Sequence, residues 1–157
     1  MAESARNTYV VERSTNIDAT PAAVYGYLVD FHRWVDWSPW EDLDPKLHRT
    51  YSGAEGGVGA TYAWRGNRKA GEGRMEITAV EPDRSVTVDL RFLKPFKSTS
   101  ESRFTLVPAD SSTRVTWTMT GKQTFMLKVM GIFTSMDKLV GKDFEKGLRH
   151  LKALVES

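Results

Sequence analysis

The C-terminal stretch from Ser135 to Val155 carries apolar side chains at helical spacing. Steps of three and four residues place them along one side of an α-helix. Thr134 is the predicted N-cap, and Asp137 puts a negative charge in the first turn. A helix of this length is about 30 Å long and needs a large apolar surface to lie on. Its apolar positions are Met136, Leu139, Val140, Phe144, Leu148, Leu151, Leu154 and Val155.

In the sequence before this helix, from Lys46 onward, the apolar residues follow the alternating pattern of β-strands. Short connections between the segments favour an antiparallel meander. Apolar residues such as Val86 and Val88 alternate with polar residues such as Thr87 and Asp89. This alternation predicts a sheet that is covered on one face and wet on the other, and the C-terminal helix is the element that covers it. The predicted strands are Lys46–Ser52, Ala60–Arg65, Gly71–Val80, Ser85–Leu93, Ser98–Val107 and Thr113–Lys122.

The first forty residues predict one more strand and two short helices. Residues 1–8 are polar and are expected to be frayed, and Tyr9–Ile17 is the predicted strand. Thr20 followed by Pro21 indicates a helix start, and this helix is expected to run to about Asp30. A second helical piece is predicted over 31–35. It leads into a segment that holds three of the five tryptophans, at Trp34, Trp37 and Trp40.

Composition excludes several classes of protein. Lys and Arg exceed Asp and Glu by only 22 − 20 = 2, without a basic run, which argues against nucleic-acid binding. The absence of cysteine removes disulfides and thiolate chemistry. No apolar signal region and no run of about 20 apolar residues occurs. A length of 157 residues fits one domain, and the expected location is cytoplasmic.

The element order, together with five local motifs, resembles the polyketide cyclase/dehydrase family. That family lies within the SRPBCC superfamily of START lipid-transfer and birch-pollen-allergen-like proteins. The resemblance implies a helix-grip fold of class α+β, in which a seven-stranded curved antiparallel sheet surrounds the long terminal helix, and a cavity between them. The motifs are 17–25 (IDATPAAVY), 34–40 (WVDWSPW), 53–59 (GAEGGVG), 71–77 (GEGRMEI) and 141–148 (GKDFEKGL).

Metal and cofactor chemistry find no support in the sequence. His32, His48 and His150 are far apart and lack partners at metal-binding spacing. His32 lies between Asp30 and Asp36, but residues so close together in a turn are not expected to share one site. No G-x-S-x-G motif is present, and the glycines of 53–59 are not followed by Lys-Ser/Thr. We therefore expect no metal and no cofactor.

The inward apolar side chains admit two interpretations. They could form an ordinary filled core, or they could line a cavity for a hydrophobic or amphipathic small molecule, which the resemblance implies. Trp34 is expected to fix its loop structurally, whereas either role remains open for the two tryptophans that follow it. The candidate ligand-binding residues are Trp37, Trp40, Trp64, Met75, Phe92, Phe104, Trp117, Met119, Phe133, Met136, Val140 and Phe144.

Three inward polar groups are candidates for catalysis by strand parity, namely Tyr62, Ser100 and Ser102. A cyclase of this fold would hold a poly-β-keto chain in a bend while one or two groups donate to an enolate. The first hypothesis is nevertheless a carrier or sensor of a lipid-like ligand, without chemistry; the cyclase or dehydrase is the first alternative, and a protein-interaction module is the second. The apolar segment Phe125–Phe133 is a packed helix, a lid, or a site of transient membrane contact.

Overall fold

The computed structural model describes residues 8–41, 43–94, 97–122 and 136–157. Within these ranges the chain forms one seven-stranded sheet and three helices, which confirms the predicted helix-grip architecture. The elements are β1 (Thr8–Ile17), α1 (Pro21–Leu28), α2 (Phe31–Trp34), β2 (His48–Gly53), β3 (Ala60–Arg65), β4 (Glu72–Glu81), β5 (Ser85–Lys94), β6 (Ser98–Ala109), β7 (Ser112–Lys122) and α3 (Met136–Glu156).

The sheet has the order β1-β7-β6-β5-β4-β3-β2, and every neighbouring pair is antiparallel. Strands β2 to β7 form a meander, whereas β1 pairs with the last strand, so that Tyr9 lies opposite Gly121. The side chain of Arg13 on β1 joins this edge to α3. Its guanidinium donates to Asp137 at 3.0 Å and to Glu145 at 2.9 Å, and Gly141 leaves room for it.

The predicted dry face of the sheet is the core of the protein. Val86, Val88 and Phe104 are fully buried there. Thr87, which was predicted to be on the wet face, is only 6% exposed, and its hydroxyl has no hydrogen-bond partner among the described residues. The register of β4 against β5 shifts beside it, between Ile77 and Ala79. Such a bulge bends the strand and re-aims neighbouring side chains, so strict alternation fails at this position.

The first helix begins where the sequence predicts and ends earlier. The Thr20 hydroxyl accepts the Ala23 N–H at 3.2 Å, as an N-cap does. The helix ends at Leu28 rather than near Asp30. Asp30 is extended and caps α2 instead, because its carboxylate accepts the His32 N–H at 3.0 Å. At the N-terminus the predicted frayed segment is also too long, since residue 8 already belongs to β1.

Several predictions fall on residues that the structure does not describe. The segment Phe125–Phe133, including the candidate ligand contact Phe133, lies outside the described residues, as does the predicted cap Thr134. Met136 begins α3, but its side chain is also outside the described part. Among the described helices, none is both long and apolar enough to cross a bilayer.

Candidate functional site

One row of inward-facing residues crosses all seven strands and passes through two of the three predicted catalytic positions. The register pairs Met75 with Tyr62 and with Leu90, and it pairs Ser100 with Leu90 and with Gly121. Strand parity therefore placed Tyr62 and Ser100 on the same face, as the sequence predicted. The complete row is Tyr9, Gly121, Ser100, Leu90, Met75, Tyr62 and Tyr51.

On one side of this row, large aromatic side chains fill the space between the sheet and α3. Trp117 and Phe144 are stacked with 3.9 Å between ring centroids and 5° between planes. Phe104 also stacks on Trp117, with 4.8 Å between the ring centroids. The ring of Trp37 meets the rings of both Trp117 and Phe104 edge-on. All four side chains are at most 1% exposed. Four of the predicted ligand contacts thus contact one another.

Trp40 completes this aromatic cluster and connects it to a polar group. Its indole N–H donates to the Asp143 carboxylate at 3.0 Å, and its ring lies 5.7 Å from that of Trp117. Asp143 is not among the apolar positions that predict the buried side of the terminal helix, and the sequence therefore predicts that it faces solvent. The structure turns it partly inward, because its carboxylate accepts the proton of an indole that would otherwise be unpaired.

The opposite part of the inner face is less completely covered. Trp64, Met75 and Phe92 lie on the adjacent strands β3, β4 and β5 and are only partly buried. The rings of Trp64 and Phe92 meet edge-to-face at 5.4 Å, and the Trp64 N–H donates to the carbonyl of Ala70 at 2.8 Å. A Cβ atom on Gly73 would lie 2.6 Å from the Trp64 ring, so only glycine admits this indole.

A tyrosine, a carboxylate and a guanidinium adjoin these three apolar side chains. The Tyr62 hydroxyl donates to Glu41 Oε1 at 3.1 Å, and Arg49 Nε donates to Glu41 Oε2 at 2.8 Å. The Glu41 side chain is 12% exposed and that of Arg49 is 28% exposed. Arg49 is paired in register with Trp64, and Tyr62 is paired with Met75. The polar group and the apolar surface are therefore neighbours.

The environment of Tyr62 keeps its proton in place. Burial raises the pKa of this phenol well above its usual value, and the negative charge of Glu41 and the hydrogen bond to it raise the pKa further. Arg49 opposes this effect in part. At neutral pH the hydroxyl is protonated and acts as a hydrogen-bond donor. It is therefore not available as an anionic nucleophile or base.

Neither Glu41 nor Arg49 was a candidate from the sequence. Arg49 has the same strand parity as Tyr51, and this was the available signal that it points inward from the edge strand. Glu41 follows Trp40 in an irregular segment, where no periodicity gives the direction of a side chain. Tyr9 was missed as well. It lies over Gly121, and the side chain of Ser100 is close enough to oppose in part the rise in the pKa of its hydroxyl that burial causes.

The remaining predicted positions lie deeper or on another element. Ser102 and Met119 are each 6% exposed and face each other across β6 and β7. Val140 is partly buried on α3. Trp34 has the structural role expected of it, since it is 2% exposed and donates its N–H to the carbonyl of Leu28 at 3.0 Å.

His32 differs from the sequence expectation. Its Nδ1 lies 2.9 Å from the carboxylate of Asp30, so these two residues of one turn do share a contact. Its ring stacks on Tyr51 at 4.0 Å, beside a depression of about 170 Å³ between α2 and the β2–β3 hairpin. Among the described residues, no three acidic, histidine or cysteine side chains form a group that could hold a metal ion.

A seven-stranded antiparallel sheet that holds a long C-terminal helix against its inner face defines the helix-grip class of ligand-binding and catalytic domains. The chain belongs to the family described as polyketide cyclase / dehydrase and lipid transport, whose pattern it matches over residues 8–156. No curated protein matches the sequence.

Solved structures show the same fold at low sequence identity. The di-domain ARO/CYC StfQ from the steffimycin biosynthetic pathway has a TM-score of 0.72 at 11% identity, over 99% of this chain and 53% of that one. This chain thus spans about half of StfQ. Ara h 8.0201 gives 0.66 at 12% identity, with 94% and 97% covered. Protein CV1439 from Chromobacterium violaceum gives 0.65 at 15% identity, with 96% and 99% covered.

Proposed function

We propose that this protein binds a hydrophobic or amphipathic small molecule, lipid- or polyketide-like, between the sheet and α3, as a carrier or sensor. The observation that carries the proposal is the cluster of Trp64, Met75 and Phe92. These are large inward-facing apolar side chains on three adjacent strands, and they are only partly covered. Deeper in the same sheet, Val88 and Ile77 are fully buried. Family membership supports the same class of ligand.

The packing of the interior supports one position for the proposed ligand. Trp37, Phe104, Trp117 and Phe144 occupy the other part of the inner face in mutual contact. We therefore place the apolar part of the ligand against Trp64, Met75 and Phe92 rather than against Trp117. Burial of ligand carbon there would contribute about 25 cal/mol per Å² before the costs of association.

The neighbouring polar group favours an uncharged ligand head. Arg49 is a cation paired in register with Trp64, and Glu41 already neutralises it at 2.8 Å. A free carboxylate or phosphate on the ligand would compete with Glu41 for the same guanidinium. A hydroxyl or carbonyl oxygen can instead share hydrogen bonds with Tyr62 and Arg49 without separating the ion pair.

A second candidate is a cyclase or dehydrase acting on a poly-keto compound. The observation that favours it is the hydroxyl of Tyr62, which keeps its proton and adjoins an apolar surface. A donor in that position could stabilise the developing oxyanion of an enolate while the surface holds the chain bent. Ser100 is in the same row, and Tyr9 rather than the apolar cluster is its neighbour, which makes it the weaker candidate. The third alternative, an interaction module, depends on Phe125–Phe133 and stays a prediction.

A titration with a fluorescent fatty alcohol and with a neutral poly-keto analogue tests the proposal. Phe92→Ala should weaken binding about tenfold or more, because a buried phenyl ring contributes roughly 1.5–3 kcal/mol. Leu93→Ala, at the next residue of β5, is the matched control because Leu93 is 45% exposed. A carrier should tolerate Tyr62→Phe, whereas an enzyme should lose turnover and keep its affinity. Absence of saturable binding, together with no lipophile co-purifying in native mass spectrometry, would refute the proposal.

A further inference from the structure

The five tryptophans of the chain differ in how their indole N–H groups are satisfied. Four of them donate to an acceptor of the protein. The N–H of Trp117 has no hydrogen-bond partner within the described part of the chain, although its nitrogen is fully buried. The four paired donors are Trp34 with the carbonyl of Leu28, Trp37 with that of Tyr27, Trp40 with the Asp143 carboxylate, and Trp64 with the carbonyl of Ala70.

An unpaired N–H at this depth works against folding. A buried donor gives up its hydrogen bonds to water when the chain folds, and without an acceptor it receives nothing in exchange. A buried indole N–H usually has a partner for this reason. The described residues supply none to Trp117, so an acceptor from outside the chain would remove the penalty.

The orientation of the indole shows from which end an acceptor can approach. A Cβ atom on Gly147 would lie 3.1 Å from Cζ3 of Trp117, and Nε1 is attached to the ring atom opposite Cζ3. Gly147 belongs to the C-terminal half of α3, which ends where Lys152 donates to the carbonyl of Asn16. We call this end of the fold the closed end. The N–H of Trp117 therefore points away from the closed end.

The interior is accessible up to the residues that adjoin Trp117. Ser102 and Met119 face inward, opposite each other on β6 and β7, and each keeps 6% of its surface exposed. Val88 and Ile77, which continue the same row on β5 and β4, are fully buried. Met119 is one two-residue step from Trp117 on β7. The remaining exposure of this row therefore lies on the strands next to the unpaired N–H.

We propose that the Trp117 N–H donates a hydrogen bond to an oxygen at the inner end of the ligand. The inference rests on the proposed function, which places the ligand head beside Tyr62. From Tyr62 to Ser102 the sheet spans three strand spacings and one two-residue step, which is about 16 Å. A chain of this length carries one oxygen at the Tyr62 end and a second oxygen at the Trp117 end.

The surroundings of Trp117 define the chemistry of that second oxygen. The indole N–H donates only, so the ligand atom must be an acceptor. The rings of Phe104, Phe144 and Trp37 surround the indole and offer no cation. A carboxylate would be buried there without a counter-charge, at a large cost. The inner oxygen is therefore uncharged, as in a ketone, and the ligand is a chain with an uncharged oxygen at both ends.

Displacement of a fluorescent fatty alcohol by two competitors tests the inference. Dodecanol carries one oxygen, and the matching hydroxyketone carries a ketone at the far end of the same chain. The wild-type protein should bind the hydroxyketone at least about fivefold more tightly, the value of one hydrogen bond to a buried donor. Trp117→Phe should abolish this preference. The matched control is Trp37→Phe, which removes an indole from the same cluster whose N–H is already paired, and it should keep the preference.

The ratio of the two affinities separates the hydrogen bond from packing, because loss of a ring affects both competitors alike. Infrared spectroscopy of an isotopically labelled hydroxyketone adds a readout on the wild type, should Trp117→Phe fail to fold. Its carbonyl band should move to lower frequency on binding. Equal affinities of the wild type for the two competitors, an unshifted band, or a preference that survives in Trp117→Phe would overturn the inference and leave the proposed function standing. Binding of neither competitor would refute the proposed function, and the inference with it.

Discussion

The indole of Trp117 lies parallel to the ring of Phe144, with 3.9 Å between the ring centroids. This contact joins β7 to α3 at the centre of the fold, and both side chains are at most 1% exposed. A strand and a helix meet here, and the sequence predicts these two elements from different periodicities. The stability of the grip should therefore be sensitive to this pair.

Phe144→Ala should lower the free energy of unfolding by about 3–5 kcal/mol, because it removes a fully buried ring and leaves a cavity under Trp117. Denaturation in urea, followed by tryptophan fluorescence and by circular dichroism, measures the change. Val107→Ala, at a position that is 53% exposed, is the control and should change stability by less than about 0.5 kcal/mol. Similar losses in the two variants would contradict the central role of this contact.

Gly147→Ala should destabilise the protein although alanine is the better helix former. A Cβ atom there would lie 2.9 Å from Pro39 Cδ and 3.1 Å from the Trp117 ring, and neither neighbour is a flexible chain end. Overpacking of this kind costs about 1–3 kcal/mol.

Gly26→Ala in α1 is the matched control for Gly147→Ala. Its added Cβ would meet only the guanidinium end of Arg33, at 3.3 Å, which can move aside. The ordinary helix preference of roughly 0.5–1 kcal/mol for alanine should then appear as added stability. The two substitutions are compared by thermal denaturation. A gain in stability for Gly147→Ala would show that α3 is not closely packed at this point.

Periodicity was sufficient to predict the strands and the terminal helix, because each contributes a repeated pattern over many residues, whereas the helix-grip arrangement followed from the family resemblance. The inward parity of Tyr62 and Ser100 followed from the same alternation. Thr87 shows the limit of this reasoning. A register shift beside it is a property of two paired strands, and neither strand alone encodes it.

The polar part of the site could not be predicted for a different reason. Glu41 lies in an irregular segment, and its contacts with Tyr62 and Arg49 join residues 21 and 8 positions away. The packing of this segment over β2 and β3 determines which side chain fills the space beside Tyr62. The same reasoning applies to Asp143, whose partner Trp40 is 103 positions away.

Arg49→Met should be more damaging than the loss of one surface charge. It would leave the carboxylate of Glu41, whose side chain is 12% exposed, without its cation. An uncompensated, largely buried charge typically costs about 3–5 kcal/mol, and the remaining 12% exposure and the Tyr62 hydroxyl reduce this to roughly 2–3 kcal/mol.

The double variant Arg49→Met/Glu41→Gln should recover part of that stability, because no charge is left to be buried. Urea denaturation of the two single variants and the double variant gives the coupling energy between the residues. Additive effects would show that the ion pair is solvated and does not organise the site.

Tyr62→Phe should change the response of the protein to alkaline pH. Burial and Glu41 raise the pKa of Tyr62 in the folded state, whereas in the unfolded chain a tyrosine ionises near pH 10. The folded state therefore binds more protons above about pH 10, and the free energy of unfolding falls as pH rises through that range. The phenylalanine variant lacks this ionisable group, so its free energy of unfolding should fall less steeply between about pH 9.5 and 11. Val107→Ala, an exposed substitution that removes no ionisable group, is the comparison and should follow the wild-type slope. Urea midpoints measured across this pH range test this prediction. Parallel curves for Tyr62→Phe and the wild type would mean that the hydroxyl is not held as the structure shows.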